Sequence, residues 1–188
     1  MHRQLLHKVV LIGDSKGGKT SIMSRLLNDY FTEKCVSTVG TGCGVWQTSN
    51  GLDVIQLQIW DTAGQEEYKS LGTIFYRNAE AGILVLSLED TFHQEEAEAW
   101  IDRFREVTGK QSLIVVTGSK CDISQTDFTK INRWAAQKGF MCLQTSAKTG
   151  ENVLKMFKLI AFELEGKHSN DPKNNHAIEC KPKCETCC

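Results

Sequence analysis

One segment near the start of the chain has the composition of a phosphate-binding loop. Residues 13–20 read GDSKGGKT and follow an apolar run at 9–12. The spacing matches G-x-x-x-x-G-K-[ST], whose glycines let backbone N–H groups turn inward around phosphates where a helix begins. Lys19 would reach the β- and γ-phosphates, and the Thr20 hydroxyl would bind Mg²⁺. The predicted phosphate-binding residues here are Ser15, Lys16, Gly17, Gly18, Lys19, Thr20 and Ser21. The alternative is a glycine-rich turn that only starts a helix.

A second polar segment, DTAGQ at 61–65, follows an alternating apolar run at 54–60. An acidic residue at a strand end beside a phosphate loop can hold Mg²⁺, usually through water, so Asp61 is a predicted metal-binding residue. The N–H of Gly64 would reach the γ-phosphate, and Gln65 would be the catalytic residue that orients an attacking water. Taken alone, the segment could also be an ordinary turn.

Two further segments have the chemistry of a base-binding site. In SKCD at 119–122, the Asp122 carboxylate can accept hydrogen bonds from the N1–H and the exocyclic amine of guanine. Adenine lacks this donor pair, so Asp122 would select GTP over ATP. In TSAK at 145–148, the backbone N–H of Ala147 can reach the guanine carbonyl. The predicted guanine-binding residues of the two segments are Ser119, Lys120, Asp122, Ser146, Ala147 and Lys148.

The elements around these segments alternate between strand and helix. Apolar runs at 5–12, 54–60, 81–88, 113–116 and 141–143 predict strands, and a weaker run at 45–49 is joined to the second of these across Asn50-Gly51, a hairpin signal. Apolar stripes between and after the strands predict helices with ordinary core faces. The expected fold is α/β: a six-stranded, mostly parallel sheet with one antiparallel edge strand and helices on both faces. Ligands of such sheets bind beyond the carboxyl ends of the strands.

Composition narrows the class of protein. The 188 residues fit one domain and a tail, and 40% hydrophobic residues with a net charge of −1 give no indication of a nucleic-acid partner. No apolar run approaches the roughly 18 residues that span a bilayer, and residues 1–7 are too short and polar for a secretory signal. We therefore expect an intracellular protein whose eight cysteines are thiols.

The motifs GDSxxGKT, WDTAGQE, SKCD and TSAK resemble, in order and spacing, those of Ras-superfamily small GTPases, and residues 57–60 are similar to a Rab-typical segment. The resemblance implies a small G domain of the P-loop NTPase fold and a GTP/GDP switch, Mg²⁺-dependent and hydrolytic, that regulates vesicle traffic. It also implies that Thr38 binds Mg²⁺ and the γ-phosphate, and that Phe31 packs against guanine. An ATP-using P-loop kinase would need insertions that this chain lacks.

The resemblance further implies partners: an exchange factor, an activating protein that supplies an arginine, prenyl-delivery (escort) and GDP-dissociation-inhibitor proteins, and effectors that bind the GTP state. The alternative function is a nucleotide-dependent binding switch with negligible hydrolysis.

Several positions depart from the common Rab pattern. Ser119 replaces an asparagine, and Lys16 and Gly17 stand where a small or neutral residue and a valine are usual, from which we expect altered nucleotide exchange. Cys43 replaces a phenylalanine that effectors read beside Trp60 and Phe75. Residues 70–71 and 76–79 are similar to early-endosomal Rabs.

The end of the chain differs from the rest. We expect a G domain over 1–165 and a flexible tail over 166–188 that ends Cys187-Cys188. These two cysteines resemble the doubly geranylgeranylated end of Rabs, and two lipid chains would anchor the protein to the cytosolic face of endomembranes. The alternative is a zinc site formed by Cys180, Cys184, Cys187 and Cys188, although adjacent ligands in such a short segment fit zinc poorly.

Overall fold

The described residues form six strands and four helices. The computed structural model describes residues 3–33, 41–51, 53–62, 74–123 and 127–169. The strands are β1 Gln4–Ile12, β2 Thr41–Ser49, β3 Val54–Thr62, β4 Ala81–Ser87, β5 Leu113–Ser119 and β6 Met141–Gln144. The helices are α1 Lys19–Asn28, α2 Gln94–Thr108, α3 Phe128–Gln137 and α4 Val153–Ser169. Among these residues no helix is long and apolar enough to span a bilayer.

The strands form a single sheet in the order β2-β3-β1-β4-β5-β6. All neighbouring pairs are parallel except β2 and β3, which form an antiparallel hairpin at one edge. The hairpin turns at Asn50 and Gly51, where the Asn50 side chain accepts a hydrogen bond from the Asp53 N–H at 2.7 Å and Gly51 has φ 92°. The predicted fold class is confirmed.

β1 is buried on both faces because successive strand residues point in opposite directions. Val9 and Leu11 lie in one core, packed with residues of β3, α1 and α4, such as Phe157. Val10 and Ile12 lie in the other core, which includes Phe104 of α2 and residues of α3. The phosphate loop thus begins where a strand that is buried on both faces ends.

Two boundaries differ from the sequence prediction. β2 begins at Thr41, before the predicted run at 45–49, because pairing with β3 extends to Thr41 opposite Thr62. Gly44 lets this strand lie close to α1, since a Cβ atom there would be 2.3 Å from the Leu27 side chain. α4 continues to Ser169, so the first residues of the predicted tail are helical.

Candidate functional site

The phosphate loop is a tight turn between β1 and α1. Gly13 has φ 126°, and a Cβ atom there would lie 2.5 Å from the Val85 carbonyl oxygen, so only glycine fits. Gly18, also at positive φ, precedes α1, and no side chain of the described residues caps the helix. The N-terminus of α1 therefore begins at the loop with a glycine as its N-cap residue, and a helix N-terminus in such a loop suits an anion.

Lys19 lies under the loop. Its ammonium donates hydrogen bonds to the carbonyl oxygens of Gly13 and Asp14, both at 2.7 Å, and its exposed fraction is 5%. Burial lowers the pKa of Lys19 to about 8, against the opposing charges of Asp61 and Asp14. The amine is therefore held at the turn of the loop in a setting that favours an additional anion.

Thr20 and Asp61 meet at the ends of α1 and β3. The Thr20 hydroxyl donates to Asp61 Oδ2 at 2.6 Å, and Asp61 is buried. Its Oδ1 is also buried, with no hydrogen-bond partner among the described residues. Burial raises the pKa of Asp61, although the Thr20 hydrogen bond and the charge of Lys19 oppose the rise. A hydroxyl and a carboxylate with a spare oxygen are ligands that suit a hard cation such as Mg²⁺.

The SKCD segment follows β5 and contacts the phosphate loop. The buried Ser119 hydroxyl lies 2.5 Å from the carbonyl oxygen of Gly17 and 3.2 Å from that of Leu86. Lys120 has a positive φ of 62° and forms an ion pair with Glu89. The phosphate loop and the predicted base-binding segment are thus directly joined.

Asp122 lies beside the loop that follows β6. The hydroxyl of the fully buried Ser146 donates to Asp122 Oδ1 at 2.5 Å and accepts from the Thr149 N–H at 3.1 Å. Asp122 itself is exposed. Ser146 therefore orients a carboxylate that stays accessible to a ligand.

The far side of this loop contacts the segment after α1. Lys148 forms an ion pair with Glu33 at 2.9 Å. Phe31 is half-buried and packs against the core shared by α1 and α4. Phe31 and the 145–148 loop therefore both lie on the side of the sheet that α1 and α4 cover.

Two residues of the site were not predicted. The indole N–H of Trp100, on α2, donates to Asp14 Oδ1 at 3.0 Å and so ties the phosphate loop to that helix. Arg25, on α1, donates to the Ala147 carbonyl oxygen at 2.6 Å. The sequence signal for Arg25 was an arginine inside an otherwise mostly apolar stretch at 22–27, whereas Trp100 was indistinguishable from an ordinary core residue.

Some predicted residues lie outside the described part of the chain. These are Thr38, Gly64, Gln65, Cys187 and Cys188. The remaining predicted site residues lie at the carboxyl edge of the sheet: on the loop that follows β1 and the first turn of α1, at the ends of β3 and β5, on the loops that follow β5 and β6, or on the segment after α1. This is the edge at which ligands of such sheets bind.

Comparison with known proteins identifies the family. A sequence model described as "Ras family" matches residues 8–165. The chain belongs to the Ras family. The GTP-binding protein ypt5 of Schizosaccharomyces pombe is 36% identical over 163 residues, which cover 84% of this chain and 77% of that protein. The GTP-binding protein YPT53 of Saccharomyces cerevisiae is 32% identical over 166 residues, which cover 84% and 76%.

Within the Ras family the chain is a Rab-type small GTPase. Members of this class bind GTP and GDP, hydrolyse GTP, act in vesicle traffic and work through regulators and effectors. The predicted family and enzyme class are confirmed.

Proposed function

We propose that this Ras-family protein is a Mg²⁺-dependent GTP/GDP switch that hydrolyses GTP at the carboxyl edge of its sheet. The observation that carries the proposal is that hydrogen bonds join four separate motifs there. Thr20 bonds to Asp61, Ser119 to Gly17, and Ser146 to Asp122, each within 2.6 Å. Residues far apart in sequence thus form one site with an anion-binding end and an end that presents hydrogen-bond acceptors.

The phosphate end of the site is formed by the loop after β1 and the start of α1. The Lys19 ammonium binds the phosphates. The backbone N–H groups that bind them with it are those of Ser15, Lys16, Gly17, Gly18, Thr20 and Ser21. The Thr20 hydroxyl, Asp61 and Thr38 are the residues that would hold Mg²⁺. The bound cation would neutralise charge on the phosphate oxygens. The support is the buried Asp61 Oδ1, which has no hydrogen-bond partner in the described part of the chain.

Gln65 orients the attacking water, and the Gly64 N–H donates to the γ-phosphate. A Gln65→Leu variant should still bind GTP, while its single-turnover hydrolysis rate falls well below that of wild type. Nucleotide binding measured on the same samples is the control. If both proteins hydrolyse GTP equally slowly, the chain is instead a nucleotide-dependent binding switch with negligible hydrolysis.

The base end of the site recognises guanine. Asp122 accepts from the two donors of the base, Ala147 donates its backbone N–H to the carbonyl, and Phe31 packs beside the ring. Ser119, Lys120, Ser146 and Lys148 hold this arrangement or line it. Asp122→Asn should shift the nucleotide preference from guanine toward xanthine, because the amide can donate where the carboxylate can only accept. An unchanged preference contradicts the guanine assignment.

The cellular role extends the same proposal. Residues 1–165 form the G domain, and 166–188 form a tail whose Cys187 and Cys188 carry two prenyl groups. An escort protein presents the tail for prenylation, and a GDP-dissociation inhibitor binds the prenylated chain. An exchange factor and an activating protein set the nucleotide state, which effectors recognise. Residues 70–71 and 76–79 support an endosomal compartment for the cytosolic-face anchor.

Imaging a tagged full-length protein tests the anchor. The double variant Cys187→Ser/Cys188→Ser should lose its membrane signal because no lipid can attach, whereas Cys180→Ser/Cys184→Ser should keep it. An unchanged membrane signal in the first variant overturns the anchor assignment. Colocalisation of the wild type with endosomal markers tests the compartment separately.

A further inference from the structure

Arg25 links α1 to the loop that follows β6. Its Nε donates to the carbonyl oxygen of Ala147 at 2.6 Å, and its Nη2 donates to that of Lys148 at 3.0 Å. These acceptors are more than 120 residues away in sequence, and the Arg25 side chain has an exposed fraction of 17%. A mostly buried guanidinium that bonds two consecutive carbonyls fixes the orientation of the two peptide planes to which those carbonyls belong.

The other side of the same guanidinium is also fixed. Its Nη1 donates to the Asp29 carbonyl oxygen at 3.0 Å and to Asp29 Oδ1 at 2.7 Å. Asp29 ends α1 in a left-handed conformation, and its N–H donates to the Arg25 carbonyl oxygen at 3.1 Å. All three guanidinium nitrogens are therefore bonded, so the planar group is held in one orientation relative to α1.

The loop itself is held from two directions. Backbone bonds from the sheet fix its first residue, since the Thr145 N–H donates to the Gly118 carbonyl and the Thr145 carbonyl accepts from the Cys121 N–H. The Ser146 N–H donates to the Glu151 carbonyl. At 147 and 148 the carbonyl oxygens accept from Arg25 instead. The Ser146 carbonyl, in the same peptide plane as the Ala147 N–H, accepts from the Gly150 N–H at 2.9 Å. Ala147 is therefore held by a backbone bond on its N-terminal side and by a side chain of α1 on its C-terminal side.

We propose that Arg25 is a positioning residue for guanine recognition: by holding the Ala147 and Lys148 carbonyls it fixes the C-terminal side of Ala147, and together with the Gly150 bond to the Ser146 carbonyl it keeps the Ala147 N–H directed at the carbonyl of the base. The inference rests on the proposed assignment of the 145–148 loop to guanine. The helix that carries Arg25 also carries Lys19 and Thr20 at its start, about 9 Å away along the axis. One rigid helix thereby sets the spacing between the phosphate-binding and base-binding loops.

Nucleotide analogues separate this role from a purely structural one. 6-Thio-GDP replaces the guanine carbonyl oxygen with a weakly accepting sulfur and keeps both donors that face Asp122. IDP keeps the carbonyl and lacks the exocyclic amine. The ratio of the dissociation constants of 6-thio-GDP and GDP therefore reports the Ala147 contact, and the ratio of those of IDP and GDP reports the Asp122 contact.

In wild type we expect GDP to bind up to about tenfold more tightly than 6-thio-GDP, the range of one hydrogen bond. Arg25→Met should weaken GDP binding and lower the 6-thio-GDP ratio toward unity, because Ala147 is then held only on its N-terminal side. Its IDP ratio should stay at the wild-type value, because Asp122 is held by Ser146. Arg133→Met, which truncates an exposed arginine on α3, is the matched control and should leave both ratios unchanged.

The outcomes are distinguishable. If Arg25→Met lowers the unfolding temperature but keeps the wild-type 6-thio-GDP ratio, or changes both ratios equally, Arg25 is only structural and the proposal is overturned. Should Arg25→Met not fold, Arg25→Lys, which keeps one charged donor, gives the same test with an intermediate ratio expected. A wild type that prefers GDP over IDP but not over 6-thio-GDP also overturns it. A wild type that does not prefer GDP over IDP contradicts the guanine assignment itself.

Discussion

The hydroxyl of Ser119 lies 2.5 Å from the carbonyl oxygen of Gly17, and this contact joins the base-binding segment to the phosphate loop. The same hydroxyl lies 3.2 Å from the Leu86 carbonyl oxygen, and Ser119 has an exposed fraction of 2%. A hydroxyl has one proton to donate, so it forms one strong bond here. In Rab relatives this position is usually an asparagine, whose amide has two donors.

We therefore expect Ser119→Ala to accelerate GDP release. The substitution leaves the Gly17 carbonyl without its hydroxyl donor, a loss of about 1–2 kcal/mol. That corresponds to a rate increase of roughly 5- to 30-fold if the whole effect falls on the bound state. Release of a fluorescent GDP analogue measures it. Ser119→Thr, which keeps the hydroxyl, should stay close to wild type, and equal rates for alanine and wild type would contradict the expectation.

Lys19 should make nucleotide binding depend on pH. Its pKa is lowered to about 8, and phosphate charge beside it raises that value, so binding takes up a proton when the pH is above 8. GDP affinity should fall by up to about tenfold per pH unit above pH 8. Calorimetry at pH 9 in two buffers of different ionisation heat should show proton uptake, and much less at pH 7. Lys16→Met should not alter the uptake.

Lys19 should also make folding stability depend on pH, with a sign opposite to that of nucleotide affinity. In the unfolded chain its pKa returns toward 10.5, so the unfolded state binds more protons between pH 8 and 10.5. Burial of Lys19 therefore costs stability below pH 8, and this cost disappears as the pH rises toward 10.5. Nucleotide affinity and the contribution of Lys19 to stability should thus change in opposite directions over this range.

Asp61→Asn should separate metal binding from folding. Loss of the carboxylate charge should weaken Mg²⁺ binding to the GDP complex at least about tenfold, so that chelation with EDTA accelerates GDP release much less than in wild type. Because burial raises the pKa of Asp61, the neutral amide should not lower the unfolding temperature measured without Mg²⁺. Asp102→Asn on α2 is an exposed control, and a wild-type EDTA response in Asp61→Asn would refute the metal assignment.

Lys16 combines an exposed positive charge with a left-handed backbone at φ 63°. Lys16→Gly removes both features, whereas Lys16→Met removes only the charge. Glycine should raise the free energy of unfolding by up to about 1 kcal/mol, and methionine should not. Both variants should release GDP faster than wild type at low salt, with the difference shrinking as salt increases. Equal release rates in all three proteins would show that Lys16 does not alter exchange.

Periodicity and turn chemistry predicted most of the fold. Continuous apolar runs in β1 and β4, strict alternation in β3 and the Asn50-Gly51 turn were enough to predict a mostly parallel sheet with one antiparallel edge strand. The start of β2 was missed because Gly42 and Gly44 have no intrinsic strand preference, and the strand there exists by pairing with β3. The motif residues could be recognised because phosphate and guanine chemistry restrict residue type at fixed spacing.

The supporting contacts could not be predicted in the same way. Trp100 follows the apolar stripe of α2, and only the folded chain shows its indole N–H directed at Asp14. Arg25 and Ala147 are joined across 122 residues, a pairing that no local pattern contains. Contacts of this kind depend on the position of each helix on the sheet. The spacing of apolar residues predicts that position only to within a turn of helix.

The burial of β1 on both faces has a consequence for hydrogen exchange. Val9, Val10, Leu11 and Ile12 have exposed fractions of 0%, and the strand is paired on both sides. Their amide protons should exchange only when the whole domain opens, whereas those along the outer edge of β2 should exchange by local fraying. The phosphate loop is thus attached to the slowest-exchanging part of the protein. We therefore expect nucleotide to leave and rebind without the sheet beneath it opening.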